Sequence, residues 1–435
     1  MKASVALVAV LWVFASCSGK SGLTGTTEIA TWQGGKKGAV SITFDDGSIN
    51  QFRQAIPILN RLGFKGTFFI ITGNIPGSEF RGTFIGRPLE DLVAESAVMP
   101  TNDGNFFERA SAVGFLGIPG AVELHTQAGT LFEQGKKEEA YAVIDEGFAA
   151  ARMKTVRIEE RQTPEGGITW PAIFEFARQG HEFGNHTVTH PRLAVLDEAN
   201  LLYELEKAKE ELLRHLGSYH TFSAECPYGT ENERVMEYAL RIHPALRNRM
   251  PEPFLEELNR WNDMDPGASA KPYVQWQRGP LADTPMELMK SWIDRVVQNN
   301  NVWLVLVFHG VDGVGWEAKP HEELDEYFSY MKDNEDRLWV DTFGNVTRYM
   351  RERMYGKVES EVKSDAITVT LTHGLDREMY SLPLTLKTYI DDDWDTVLVR
   401  QGAEEKTLTP DKDARGSYVQ YQAIPNGGPI AISAR

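Results

Sequence analysis

The sequence predicts an α/β protein: β/α units around a parallel sheet, interrupted by a helical insertion and followed by a small all-β domain. Three observations carry this. Between about Gly38 and Tyr355, short apolar runs alternate with helical patterns, the rhythm of β/α units. Val302 to Phe308 is almost continuously apolar, as a strand covered on both faces must be. After Gly356 the period becomes two: Ile367, Val369 and Leu371 alternate with Thr368, Thr370 and Thr372.

In chain order, Lys2 precedes an apolar run from Ala3 to Ala15, and Ala15-Ser16-Cys17-Ser18-Gly19 follows. Residues 1–20 therefore read as a signal peptide, too short to span a bilayer comfortably. The position of Cys17 resembles the lipobox of bacterial lipoproteins, although Phe14 stands where that pattern prefers Leu. A lipid anchor at Cys17 is expected, with ordinary cleavage nearby as the alternative. Either implies export, to the cell envelope, periplasm or cell surface. The two cysteines, Cys17 and Cys226, form no internal disulfide if Cys17 is lipidated or removed.

The barrel region, 30–355, has strand candidates at Ala39–Phe44, Gly66–Ile71, Gly180–Asn185, His220–Glu225, Pro244–Arg247, Tyr273–Trp276 and Trp303–Phe308. Helices are expected over Glu198–His215 and Met286–Gln298, and Pro57 should delay or kink the helix after Asp46. Residues 75–166 carry helical patches, such as Pro88–Ala97 and Lys136–Met153, but few strand signals. This insertion either shapes a pocket or is packing scaffold. Residues 356–435 predict a β-sandwich-like domain, broken by the turns Asp391-Asp392-Asp393 and Pro425-Asn426-Gly427-Gly428.

Charge excludes partners more than it selects them. A formal net charge of −17 argues against nucleic acid or an anionic membrane surface, both of which need basic protein. It is silent about a neutral sugar.

The chemistry lies where polar residues end apolar strands. Ser41-Ile42-Thr43-Phe44 runs into Asp45-Asp46-Gly47; Gly184-Asn185 runs into His186, with His190 four residues on; Cys226 precedes Pro227-Tyr228-Gly229; Phe308 precedes His309. Loops at the carboxyl ends of barrel strands converge on one face, so these residues would share one mouth. Adjacent buried carboxylates call for a cation or for one proton. One carboxylate with two imidazoles suits Zn²⁺, and also Co²⁺, Mn²⁺, Fe²⁺ or Ni²⁺. Pro191 disfavours helix at His190, so a single turn is expected there. His125, His181, His215, His220, His243, His321 and His373 lack such a pattern and read as structural.

Together, Thr43-Phe44-Asp45-Asp46-Gly47, Gly180 to His190, Pro227-Tyr228-Gly229 and Val305 to His309 resemble the successive motifs of the polysaccharide deacetylase (NodB-homology) family. The resemblance covers roughly Gly38 to Tyr355, less the insertion. It implies a distorted, incomplete (β/α) barrel and hydrolysis of acyl groups, N- or O-acetyl, on a carbohydrate. It further implies one divalent metal on Asp46, His186 and His190, with Asp45 as general base and His309 as general acid. The backbone N–H of Tyr228 would hold the oxyanion, and Pro227 and Trp276 would border the acyl group; for Trp276, core packing is the alternative.

One departure stands out. The family's third motif has an Arg two residues before its Pro, where it steadies the base; here that residue is Glu225. Arg247, at the end of the next strand candidate, is the expected substitute, or else a surface residue or a partner for another acid. An amide or imide hydrolase of the same fold and a non-catalytic glycan-binding lipoprotein are the rival readings.

Overall fold

The structure is a computed structural model describing residues 22–153, 167–229, 232–247, 249 and 255–435. The expected signal peptide, Cys17 with it, and the last part of the insertion (154–166) lie outside the described residues. The chain divides into two units: 31–351 with 376–380, and residues up to 30 with 352–375 and 381–435.

The larger unit is an all-parallel sheet curled into an incomplete barrel. Its strands follow the order Ala245–Leu246, Ser223–Ala224, Glu182–Asn185, Gly66–Ile70, Gly38–Phe44, Val302–Phe308, Tyr273–Arg278 and Leu255–Leu258. Leu338–Val340 pairs with the start of Gly38–Phe44. Among the described residues the two end strands do not pair with each other, which leaves the barrel open.

Alternation decides which residues reach its interior. Val40, Ile42 and Phe44 face outward into one core with Phe68, Ile293, Leu306 and Phe328. Their neighbours Ser41 and Thr43 are equally buried but polar, and each is satisfied: Trp303 Nε1 donates to Ser41 Oγ (3.0 Å), and Thr43 Oγ1 donates to the Leu306 carbonyl (2.6 Å). Glu182 on the next-but-one strand accepts from Thr67 Oγ1 (2.8 Å) and Ser223 Oγ (2.7 Å). A barrel lined by hydrogen-bonded polar side chains can carry charge at its mouth without stranding it in hydrocarbon.

Several expectations change in detail. The strands at Ser223–Ala224 and Ala245–Leu246 are only two residues long. Leu255–Leu258 and Leu338–Val340 were not anticipated: Glu256 and Glu257 mask the first, and the second is only three residues long. After Asp46, a π-turn at Gln51–Ala55 leads into a helix at Ile56–Leu62. Pro57 therefore sits in the first helical turn, where its missing N–H costs little.

The insertion has helices at Leu89–Glu95, Phe106–Val113, Ala121–Glu133 and Lys137–Arg152. They bury a cluster of their own, with Phe106, Ala110, Val113, Ile144 and Phe148. The smaller unit holds two antiparallel sheets. Ile367, Val369 and Leu371 are buried while the threonines between them are partly exposed. Thr27–Ile29, ahead of the barrel in sequence, joins this unit by pairing with Leu384–Tyr389.

Candidate active site

Strand geometry brings Asp45 inward, two residues after Thr43. Simple alternation would send Asp46 to the opposite face. Instead Asp46 adopts a left-handed φ of 72°, which breaks the alternation and turns its carboxylate back to the mouth. Thr187 (68°), His190 (64°) and Tyr228 (62°) are also left-handed. Such strain in non-glycine residues persists only where the surroundings enforce it.

The enforcement is visible around the two histidines. No helical turn forms between them, contrary to expectation; an irregular loop does the work. The Asn185 carboxamide oxygen accepts from Thr187 N–H (2.7 Å), and Thr187 Oγ1 accepts from His190 N–H (2.9 Å). Glu204, from the helix Glu198–Leu216, accepts from the N–H groups of Val188 and Thr189 (2.8 Å each) and from Thr189 Oγ1 (2.6 Å). Neither Asn185 nor Glu204 was singled out from the sequence. Glu204 lies fourteen residues beyond His190 in a helix full of carboxylates, and only the packing of that helix selects it.

His186 Nε2 lies 3.5 Å and His190 Nε2 3.3 Å from the same oxygen of Asp46. Ligand atoms at about 2.0–2.1 Å from a tetrahedral ion are about 3.3–3.4 Å apart, so both distances match edges of such a site. His186 Nδ1–H donates to the Glu225 carbonyl (3.0 Å), which leaves Nε2 as the free lone pair. Burial first, then the neighbouring His186, push His190 down to about 4, so its imidazole is neutral, as a ligand must be. A second group, Asp312, His321 and Glu322, also draws together. There the Asp312 carboxylate accepts the His321 backbone N–H (2.8 Å) and lies 3.0 Å from its ring Nδ1, at the start of the helix His321–Asp333.

Arg247 is buried and grips Asp45 in two-pronged fashion: Nη1 to Oδ1 at 2.6 Å and Nη2 to Oδ2 at 2.7 Å. The same guanidinium donates to Thr43 Oγ1 (2.9 Å) and meets Glu225 Oε1 at 2.9 Å. One buried cation thus serves two buried carboxylates. Burial would raise Asp45; Arg247, His309 and His186 outweigh it and hold the carboxyl far below its usual range. Glu225 goes the other way, raised mainly by burial despite Arg247. His309 Nε2 stands 3.5 Å from Asp45 Oδ2, and burial lowers its pKa, which makes the protonated ring the stronger acid. Gln51 Nε2 donates to the carbonyls of both Asp45 (2.5 Å) and His309 (2.7 Å), clamping the two strand ends together.

The structure brings Asp45, Asp46, His186, His190, Arg247 and His309 into one cluster. The Tyr228 ring borders it, 4.7 Å from that of His190 and 4.5 Å from the Arg192 guanidinium. Pro227, beside it, is buried. Trp276 is not part of this group, which corrects the expectation that it borders the acyl group. It packs with Val274, Met289 and Leu304 in the outer core, and the Arg278 guanidinium lies 4.7 Å from its ring. Alternation is the reason: its neighbours Gln275 and Gln277 point inward and both donate to the Arg247 carbonyl.

The barrel and its mouth can be set beside known proteins. The polysaccharide deacetylase family model matches residues 33–96 and 125–260, so the chain carries a polysaccharide deacetylase region. The match omits 97–124, within the helical insertion, and stops before His309. The chain is 24% identical over 276 residues, 59% of its length, to a gellan lyase of a Bacillus species, and spans only 11% of that relative. Among solved structures, the Bc1960 peptidoglycan N-acetylglucosamine deacetylase aligns over 71% of this chain and 87% of its own. The identity is 15% and the TM-score 0.32. The Xyl-CE4 domain of a xylanase from the hindgut metagenome of Trinervitermes trinervoides aligns over 72% and 89%, at 12% identity and a TM-score of 0.31.

Proposed function

We propose that this protein hydrolyses acyl groups, acetyl foremost, from a carbohydrate, with one divalent ion held by Asp46, His186 and His190. The carrying observation is the convergence of both imidazole Nε2 atoms on one Asp46 oxygen (3.3 and 3.5 Å), beside a carboxylate already gripped by Arg247. Zn²⁺ suits this donor set, with Co²⁺, Mn²⁺, Fe²⁺ and Ni²⁺ as alternatives.

When bound, the ion polarises the acyl carbonyl and lowers the pKa of a water. Asp45 accepts a proton from the attacking water as the water oxygen bonds to the acyl carbon. Arg247 fixes the plane of the Asp45 carboxylate, so its proton-accepting oxygen keeps its aim. The Tyr228 N–H donates to the developing oxyanion. His309 then protonates the departing sugar nitrogen or oxygen as its bond to the acyl carbon breaks, releasing the free acid. The Asp45 proton leaves to solvent, and His309 is reprotonated.

The test is acetate release from chitin oligomers, peptidoglycan fragments and acetylated xylan by metal-loaded protein, with chelated protein as control. Release that stops on chelation is expected. No release from any of the three, with small cyclic amides cleaved instead, would favour the amidohydrolase reading; glycan binding without turnover would favour a non-catalytic lipoprotein. Export with a lipid anchor at Cys17 belongs to the same proposal. Labelled fatty acid should be incorporated, and Cys17→Ser should abolish incorporation.

A further inference from the structure

His309 is followed by a loop, Gly310 to Lys319, that closes on itself. Gly310 N–H donates to the Trp316 carbonyl (2.8 Å), Val311 N–H to Val314 (3.0 Å), Asp312 N–H to Lys319 (3.0 Å) and Lys319 N–H back to Gly310 (3.1 Å). Lys319 is buried, and its ammonium donates to the carbonyls of Ala282 and Thr284, 3.1 Å each. Gly315 is left-handed (φ 99°) and sits against Ser48 and Gly310, where a side chain would come within 2.9 Å of the Gly310 Cα. Bonds at this density fix the course of the loop's backbone.

What it presents is Trp316. The indole meets the His309 imidazole edge-on, 4.6 Å between ring centroids at an interplanar angle of 80°, yet the residue remains 54% exposed. A lone exposed aromatic is ordinary on a surface; what sets Trp316 apart is its contact with the His309 imidazole, which leaves the rest of the indole open. The position of the leaving group supplies the missing neighbour. The atom that His309 protonates belongs to the sugar, so the sugar ring lies one bond from that atom, beside the imidazole and within reach of the indole.

We propose that Trp316 forms a stacking subsite for the pyranose ring bearing the acyl group, the axial C–H face of the sugar lying on the indole. This rests on the deacetylase reading above, and His309 sets both the distance and the side.

The experiment uses the full chain with chitotetraose and xylotetraose as probes, alongside the acetylated glycans. For whichever probe binds, Trp316→Ala should weaken the dissociation constant about tenfold, and should raise KM for the acetylated glycan more than it lowers kcat. Trp316→Tyr should recover most of the affinity, because a phenol also offers a flat apolar face. Wild-type tryptophan emission should shift to the blue on saturation, and Trp316→Tyr should lose that shift while still binding. Unchanged affinity and KM in Trp316→Ala, with acetate release intact in wild type, would overturn the subsite and leave the deacetylase reading standing. So would a blue shift that survives in Trp316→Tyr. A fall in kcat alone would reduce Trp316 to a prop for His309 and also overturn it. Failure of wild type to bind either probe overturns the subsite, whereas the acetate assay alone judges the deacetylase reading.

Discussion

Arg247 and Arg109 are both almost completely buried, and only Arg247 lies in the candidate site. Arg109 lies among the insertion helices, 3.2 Å from Glu95 and 3.6 Å from Asp145, with Phe148 below its guanidinium. Both of its acidic partners are partly exposed. Arg247 faces Asp45 and Glu225, both buried, and Asp45 stands at the mouth beside His309. The difference lies in the partners: water shares the charge of Glu95 and Asp145, whereas Arg247 faces two desolvated carboxylates. Removing one member of such a group leaves an uncompensated buried charge, at a cost of about 3–5 kcal/mol. The histidines divide similarly. His186 and His190 turn Nε2 toward Asp46, whereas His181 and His243 spend their rings on Gly66 N–H and on Asn185 and Thr221.

The sharpest test of this division is His186→Ala, which should lose both the copurifying ion and activity. Elemental analysis showing full metal in that variant would break the comparison at its root. Asp45→Asn should come next, abolishing turnover while metal content stays near wild type, because an amide cannot take the proton. His309→Ala should lower kcat by about 10²–10⁴-fold, measured on the same glycan.

Arg247→Lys should cut the rate sharply with the fold retained, since an ammonium cannot reproduce the two-pronged grip on Asp45. Arg109→Lys should leave kcat and metal content alone and show itself only in a lower melting temperature. Equal effects on rate from the two would erase the distinction.

The smallest effect concerns the structural imidazoles. Burial lowers His243 to about 3 and His181 to about 4, so both are neutral in the fold. Unfolded, they take up protons below about pH 6.5. Stability is therefore full above that pH and falls as pH drops toward those lower values, by about 2 kcal/mol per imidazole at pH 5. Urea midpoints at pH 7 and pH 5 check this; equal midpoints would mean that these rings protonate within the fold.

Residue order alone determined a good deal here. Largely apolar runs ending in Asp45-Asp46 and His309, and the strand end at Gly184-Asn185 before His186, marked both the parallel strands and the residues at their carboxyl ends, where barrel loops converge. Period two likewise marked Ile367, Val369 and Leu371, since a half-exposed strand writes its two faces directly into the sequence. Arg247 was singled out because Glu225 stands where a cation was expected, and it lies against both Asp45 and Glu225. The tertiary structure decided what depends on facing or on distance along the chain. Trp276 and its neighbours Gln275 and Gln277 differ by one position and point to opposite sides of the sheet. Glu204, Gln51 and Trp316 carry no motif; they reach the site because a helix, a π-turn and a closed loop deliver them there. Spacing in sequence encodes periodic local structure, whereas hydrogen bonds between elements far apart in the chain form only once the sheet has curled and its loops meet.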